Sequence, residues 1–196
     1  DQDTIIIHGT NGLFAYCDGA TIENIHVKGN LLDATGTVSE DIWAGIGGIC
    51  DIAKNTTFSH CSNACKIELD EDCEMTGVGG IVGYGVHVIV DSCSNYGSIN
   101  SAAASADAEN FSGGIVGFAV EETTINFCYN VANVKDIACA GGIIGGASGA
   151  SGSITISNCK NEGYIQASTS GSAESSAGGI AGFQVNNTSF ISCLNT

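Results

Sequence analysis

Short apolar runs, three to six residues long and rich in Ile, Val and Thr, recur along the chain between borders of Gly, Asn and Ser. Within the runs the hydrophobic period is two, as in Thr124-Ile125-Asn126-Phe127-Cys128 and Ile154-Thr155-Ile156-Ser157-Asn158-Cys159. A period of two sends alternate side chains to opposite faces of a strand, and no stretch keeps the spacing of an amphipathic helix. The pattern predicts an all-β fold.

The runs are themselves periodic. Gly79-Gly80-Ile81-Val82-Gly83 precedes Cys93-Ser94-Asn95, and Gly113-Gly114-Ile115-Val116-Gly117 precedes Cys128-Tyr129-Asn130. Gly141-Gly142-Ile143-Ile144-Gly145 leads to Cys159-Lys160-Asn161, and Gly178-Gly179-Ile180-Ala181-Gly182 leads to Cys193-Leu194-Asn195. Gly47-Gly48-Ile49-Cys50 with Cys61-Ser62-Asn63 is an earlier copy, and Gly12-Leu13-Phe14-Ala15 with Ile25-His26-Val27 is a degenerate first one. Counted from Ile25, the Cys position returns after 36, 32, 35, 31 and 34 residues.

Three short strands per copy are predicted: one on Gly-Gly-Ile-Val-Gly, one ending at Cys, and one after Asn-x-Gly, as at Ser98-Ile99-Asn100. Strands this short pair copy upon copy, which gives a parallel β-solenoid of about six coils. The predicted inward rows are Phe14/Ile49/Ile81/Ile115/Ile143/Ile180, Ile25/Cys61/Cys93/Cys128/Cys159/Cys193 and Leu31/Ile67/Ile99/Val134/Ile165. Asn63/Asn95/Asn130/Asn161/Asn195 form a further row at a bend, where stacked amides bond along the stack and satisfy turn backbone. Gly97 and Gly163 are expected to supply a positive φ at that corner. Residues 1–196 read as one repeat domain, and both ends look cut from a longer multidomain chain.

Composition changes the picture in two ways. The chain carries 28 Gly and no Pro, yet 43% of its residues are hydrophobic, enough to bury a core. Its 21 acidic residues face only five Lys and no Arg, a net charge of −16. That balance argues against nucleic acid, which is held by Lys and Arg, and against docking on anionic lipid. No apolar run approaches the roughly 20 residues of a membrane-spanning helix, so no direct membrane insertion is expected. Ten Cys suggest disulfides, but five of them share one slot with Ile25, which marks a buried small hydrophobe. Cys65 and Cys73, flanking an acidic loop, are the best-placed pair for a disulfide.

On these residues the chain resembles the GLUG-motif repeats of bacterial surface adhesin-like proteins and of the non-catalytic region of IgA-specific metalloendopeptidases. Gly12–Ala15 with Ala20–Ile25 resembles an opening repeat, and the later Gly-Gly-Ile-Val-Gly and Cys-x-Asn-x-Gly-x-Ile segments resemble the usual one. The resemblance covers nearly the whole chain. It implies a right-handed parallel β-helix, export, and an extracellular or cell-surface parent. The zinc-protease signature His-Glu-x-x-His is absent from this sequence, so protease activity does not carry over.

The expected function is that of a non-catalytic structural or adhesive module that binds a host glycan or an extracellular protein. The alternatives are a carbohydrate-active β-helix enzyme and the non-catalytic segment of a secreted metalloprotease. Tyr84, Phe118 and Phe183 each follow a Gly-Gly-Ile-x-Gly segment, so they stack at one corner and form a candidate glycan-binding ridge. The run Glu68–Glu74 is the densest acidic segment, and its Glu68, Asp70 and Asp72 form a candidate Ca²⁺ site, since Ca²⁺ takes several carboxylate oxygens. Asp91 is the one acid of a second strand in the Cys copies, too little for the paired carboxylates of a glycosidase. His26 and His60 read as register neighbours, and the second-strand Thr positions read as out of register, which excludes a flat Thr ladder. Open solenoid ends would favour end-to-end self-association.

Overall fold

The computed structural model describes residues 4–35, 37–38, 44–69, 73, 76–101, 110–150, 152–168 and 175–196. Among these residues every regular element is a β-strand, and the strands stack as a parallel β-solenoid. Each coil passes through four sheets. Sheet 1 holds Phe14–Asp18, Cys50–Lys54, Val82–Val86, Val116–Val120, Ile144–Ser148 and Ala181–Val185. Sheet 2 holds Thr21–Glu23, Thr57–Ser59, Ile89–Asp91, Thr123–Asn126, Ile154–Ser157 and Thr188–Ile191. Six parallel strands in each, one from every repeat, make six coils.

Sheet 3 is the longest. It begins with Thr4–Gly9, His26–Ala34 and Ser62–Leu69. In the next three coils the strand is split in two: Ser94–Asn95 with Ile99–Asn100, Tyr129–Asn130 with Val134–Asp136, and Lys160–Asn161 with Ile165–Ala167. Leu194–Asn195 closes it. Sheet 4 holds Ala44–Gly47, Thr76–Gly79, Phe111–Gly113, Cys139–Gly141 and Ser176–Gly178, with Thr37–Val38 antiparallel on its edge.

The fourth strand corrects the expectation of three. Gly-Gly-Ile-Val-Gly is not one strand: Gly79 ends a strand of sheet 4, Gly80 and Ile81 make the turn, and Val82 opens sheet 1. Glycine permits this because there is no room for anything else. A Cβ on Gly79 would lie 1.9 Å from the Val82 carbonyl oxygen, and one on Gly113 would lie 1.9 Å from that of Val116.

Three of the four predicted rows are in register. Leu31, Ile67, Ile99, Val134 and Ile165 pair in succession, as do Asn63, Asn95, Asn130, Asn161 and Asn195. The Cys row runs up the main core, with Cys61, Cys93, Cys128 and Cys159 at most 1% exposed. The isoleucine row is offset in its first copy. Phe14 pairs with Cys50, so Leu13 is the partner of Ile49 and packs on the core, while Phe14 is 37% exposed. A one-residue offset flips a strand side chain to the opposite face.

The glycines after Asn do not serve a positive φ. A Cβ on Gly97 would lie 1.9 Å from the Cys65 carbonyl oxygen one coil away, and one on Gly163 would lie 1.9 Å from that of Ala132. Close approach between coils explains both. Positive φ instead falls on Asn24, His60, Ser92, Phe127, Asn158 and Ser192, each directly before the Cys row. Cys65 and Cys73 are not joined by a disulfide: Cys65 lies in the main core, and Cys73 lies in the second core with its thiol donating to Ala34 O at 3.2 Å.

Candidate ligand-binding face

The asparagine ladder decides which side chains reach the surface of sheet 3. Asn63 Nδ2 donates to Asn95 Oδ1, Asn95 to Asn130, Asn130 to Asn161 and Asn161 to Asn195, at 2.7–2.9 Å. Each of the first four amides also bridges its own strand, for instance from Asn95 Nδ2 to Gly97 O at 3.0 Å and from Gly97 N–H to Asn95 Oδ1 at 3.2 Å. With the amide locked inward, the positions one, three, five and seven after the Cys row point outward. Ser62–Leu69 shows this alternation directly, with Asn63, Cys65, Ile67 and Leu69 buried and Ala64 and Lys66 exposed.

Those outward positions collect the scarce cations. Lys28, Lys66, Lys135 and Lys160, four of the five lysines, stand on this face. So do Tyr96, Tyr129 and Tyr164, three of the five tyrosines. Tyr96 is 55% exposed and Tyr164 61%. Among the described residues the acids of the face are Glu68, Glu162 and, at a bulge on its edge, Asp33. Lys66 pairs with Glu68 at 2.6 Å, and Lys160 pairs with Glu162. Lys160 Nζ also lies 5.7 Å from the centre of the Tyr129 ring, whose hydroxyl donates to Glu162. That hydrogen bond raises the Tyr129 pKa, while Lys160 and then Tyr129 lower that of Glu162. Among the described residues Lys28 and Lys135 form no ion pair. Among the intervening positions Asn30, Ser62, Ser94, Ser98, Asn100, Asn133 and Gln166 are neutral hydrogen-bonding groups, while Ala64, Val131 and Leu194 are apolar. His26 Nδ1 lies 2.8 Å from Ser62 Oγ on the same face.

Tyr84, Phe118 and Phe183 occupy one row of sheet 1, as the repeat implies, with Gly146 between the last two. Tyr84 and Phe118 stack with ring centroids 6.2 Å apart and planes at 8°. Phe111 from sheet 4 packs against Phe118 at 4.6 Å and Phe183 at 5.9 Å, filling the space over Gly146. Tyr84 is 4% exposed and Phe118 5%, so these two rings turn little surface to solvent, while Phe183 is 43% exposed. Tyr84, Phe118 and Phe111 form a third small core with Ile52, Ala138 and Cys139.

Of the acidic segment, Glu68 is held by Lys66, and Asp70 and Asp72 lie outside the described residues. Among the described residues no three His, Cys, Asp or Glu side chains converge as a metal site. His26 pairs with Ser62, so His26 and His60 are not register neighbours. Asp91 is on the outer face of sheet 2, its Oδ1 accepting from Asn126 at 3.0 Å and its Oδ2 from Ser92 at 2.9 Å. The Thr expectation is overturned. Thr21, Thr57, Ile89, Thr124, Thr155 and Ser189 do stack in one outward row, and each stands four residues before the Cys row. Ile89 interrupts the hydroxyls, and Glu23 and Asp91 charge the adjacent row.

Two buried acids were not anticipated. Asp51 takes the place of the third glycine of its repeat and accepts from the Gly12 and Gly47 amides at 2.9 and 3.1 Å. Asp136 Oδ2 accepts from Ser101 and Ser112, and its Oδ1 accepts from the Ala138 amide at 2.7 Å. All three side chains of that cluster are fully buried, and burial raises the Asp136 pKa. No family model, curated protein or solved structure matches this chain.

Proposed function

We propose that this chain is a non-catalytic structural and adhesive β-solenoid module of an exported bacterial surface protein, and that it works outside the cell. The observation that carries this reading is a division of labour along the repeat. Most of the recurring residues (the glycines, the Cys row and the Asn ladder) are spent inside on stacking, while the side chains that differ from coil to coil gather on the outward faces. A solenoid with that division presents long regular faces, the usual binding surfaces of repeat proteins.

The buried carboxylates support the same reading. Asp51 and Asp136 accept hydrogen bonds from backbone amides and serine hydroxyls, so they serve structure. Asp91, the acid a lyase or glycosidase reading would use, has both oxygens engaged by Asn126 and Ser92. The GLUG resemblance points to the same class of parent protein.

The test is a paired assay. The protein is screened for binding to glycans and extracellular-matrix proteins, and the same polysaccharides are checked for chain shortening. Binding without shortening is expected. Depolymerisation that disappears in Asp91→Ala would replace the adhesive reading with the enzymatic one. A His-Glu-x-x-His elsewhere in the complete gene would assign the module to a secreted protease.

A further inference from the structure

We propose that the outward face of sheet 3 is the binding surface and that its ligand is an acidic polysaccharide carrying uronic-acid carboxylates. This rests on the binding-module reading above and names the surface and the ligand chemistry. The first argument is charge. The chain carries a net −16, yet four of its five lysines share one sheet face with, among the described residues, three acids, one of them on the edge bulge. Even spreading over four sheets would not do this. An anionic polymer is repelled by the molecule as a whole and is favoured only along this strip.

The second argument is the chemistry beside the lysines. Tyr96, Tyr129 and Tyr164 stand on the same strip, two of them more than half exposed. A tyrosine ring offers a flat apolar surface for the C–H face of a sugar and a hydroxyl for its edge. Lys28 and Lys135 carry no ion pair among the described residues, and each has amide or hydroxyl side chains beside it. A carboxylate on an ammonium gives a charge-assisted hydrogen bond, and Asn30, Asn100, Asn133 and Gln166 suit sugar hydroxyls.

The third argument is periodicity. Successive coils are about 4.8 Å apart, so Tyr96 and Tyr164, two coils apart, are separated by about 10 Å along the axis. A linear polymer laid along the axis over the middle of the strip meets Lys28, Lys66, Tyr96 and Tyr164, three to five residues after the Cys row, in coil order, with Lys135 on one flank and Lys160 on the other, an array a small ligand does not span. Nucleic acid, the other common polyanion, is disfavoured by the absence of Arg.

The experiment measures binding of polygalacturonate, hyaluronan and neutral dextran to the whole chain by titration calorimetry at low and high NaCl. The variants are Lys28→Gln with Lys135→Gln, Tyr96→Ser with Tyr164→Ser, and Thr124→Val on sheet 2 as the control. All substituted side chains are exposed, and circular dichroism confirms that each variant is folded. The expected result is binding of one or both acidic polymers, weakened by salt, absent for dextran, reduced at least tenfold in the Lys and Tyr variants and unchanged in Thr124→Val. Full affinity in the sheet 3 variants, equal affinity for dextran, or no binding of either acidic polymer overturns the proposal. If another glycan or a matrix protein binds while the sheet 3 variants are neutral, this proposal fails and the adhesive reading stands. Shortening of a bound polymer would instead remove the adhesive reading.

Discussion

Gly114 faces the side chain of Asn130 so closely that a Cβ on it would lie 2.4 Å from Asn130 Cγ and 2.2 Å from the Gly142 carbonyl oxygen. The same contact recurs between Gly80 and Asn95, Gly142 and Asn161, and Gly179 and Asn195. The second glycine of the motif and the ladder asparagine, far apart in sequence, are therefore two halves of one packing unit.

Gly114→Ala is expected to cost at least about 3 kcal/mol, since the clash is with backbone and with a side chain locked by its hydrogen bonds. Gly9→Ala, where a Cβ meets nothing within 4 Å, is expected to be silent. Urea unfolding of both variants checks this, and equal losses would refute the packing argument.

Phe127 is the bulkiest residue of the positive-φ corner, at φ 51°, and its ring is 59% exposed. Asn fits this backbone better, as it does at Asn24 and Asn158. Phe127→Asn is expected to stabilise the protein by about 0.5–1 kcal/mol. A loss of stability would show that the ring packs against something the corner needs.

The Asn row and the Leu31/Ile67/Ile99/Val134/Ile165 row are readable because they stand at fixed offsets of two and six residues from the Cys position, while the isoleucine row is marked by its paired glycines and not by its distance from Cys. Parity would also have found the outward face of sheet 3: Lys28, Lys66, Lys135, Lys160, Tyr96, Tyr129 and Tyr164 all stand an odd number of residues after the row. The same counting finds the Thr row. Phe14 was misplaced because the first copy lacks one of the paired glycines that mark the turn. The strand before Gly-Gly is hidden because a turn made of Gly and Ile leaves no polar border between two apolar runs. The Asp136 cluster had no signal, since Ser101 and Ser112 meet it from 35 and 24 residues away across coils.

Asp136 makes stability depend on pH. Its pKa is raised in the fold by burial, so its contribution is full below the unfolded value of about 3.9 and is lost as pH rises through the folded value. Asp136→Asn keeps the acceptor for Ala138 and turns donors toward Ser101 and Ser112. Its melting temperature should rise relative to wild type as the pH is raised from about 4 upward. A constant difference across that range would show that Asp136 does not titrate against folding.

None of the ten cysteines forms a disulfide, and burial raises the Cys128 thiol and pushes Cys65 up to about 12. Thiol titration without reductant should find all ten after unfolding. In the folded protein the faster groups should be Cys17 and Cys193, which are only half-buried. Oxidised row cysteines in the unfolded sample would contradict the packing role.

The central claim is that buried amides bind one coil to the next in register, and a double-mutant cycle on Asn130 and Asn161 tests it most directly. The bond between them is 2.7 Å long and buried. Asn130→Ala, Asn161→Ala and the double variant are compared by denaturant unfolding. The account predicts a coupling energy of about 1 kcal/mol or more. Additivity within about 0.3 kcal/mol would contradict it.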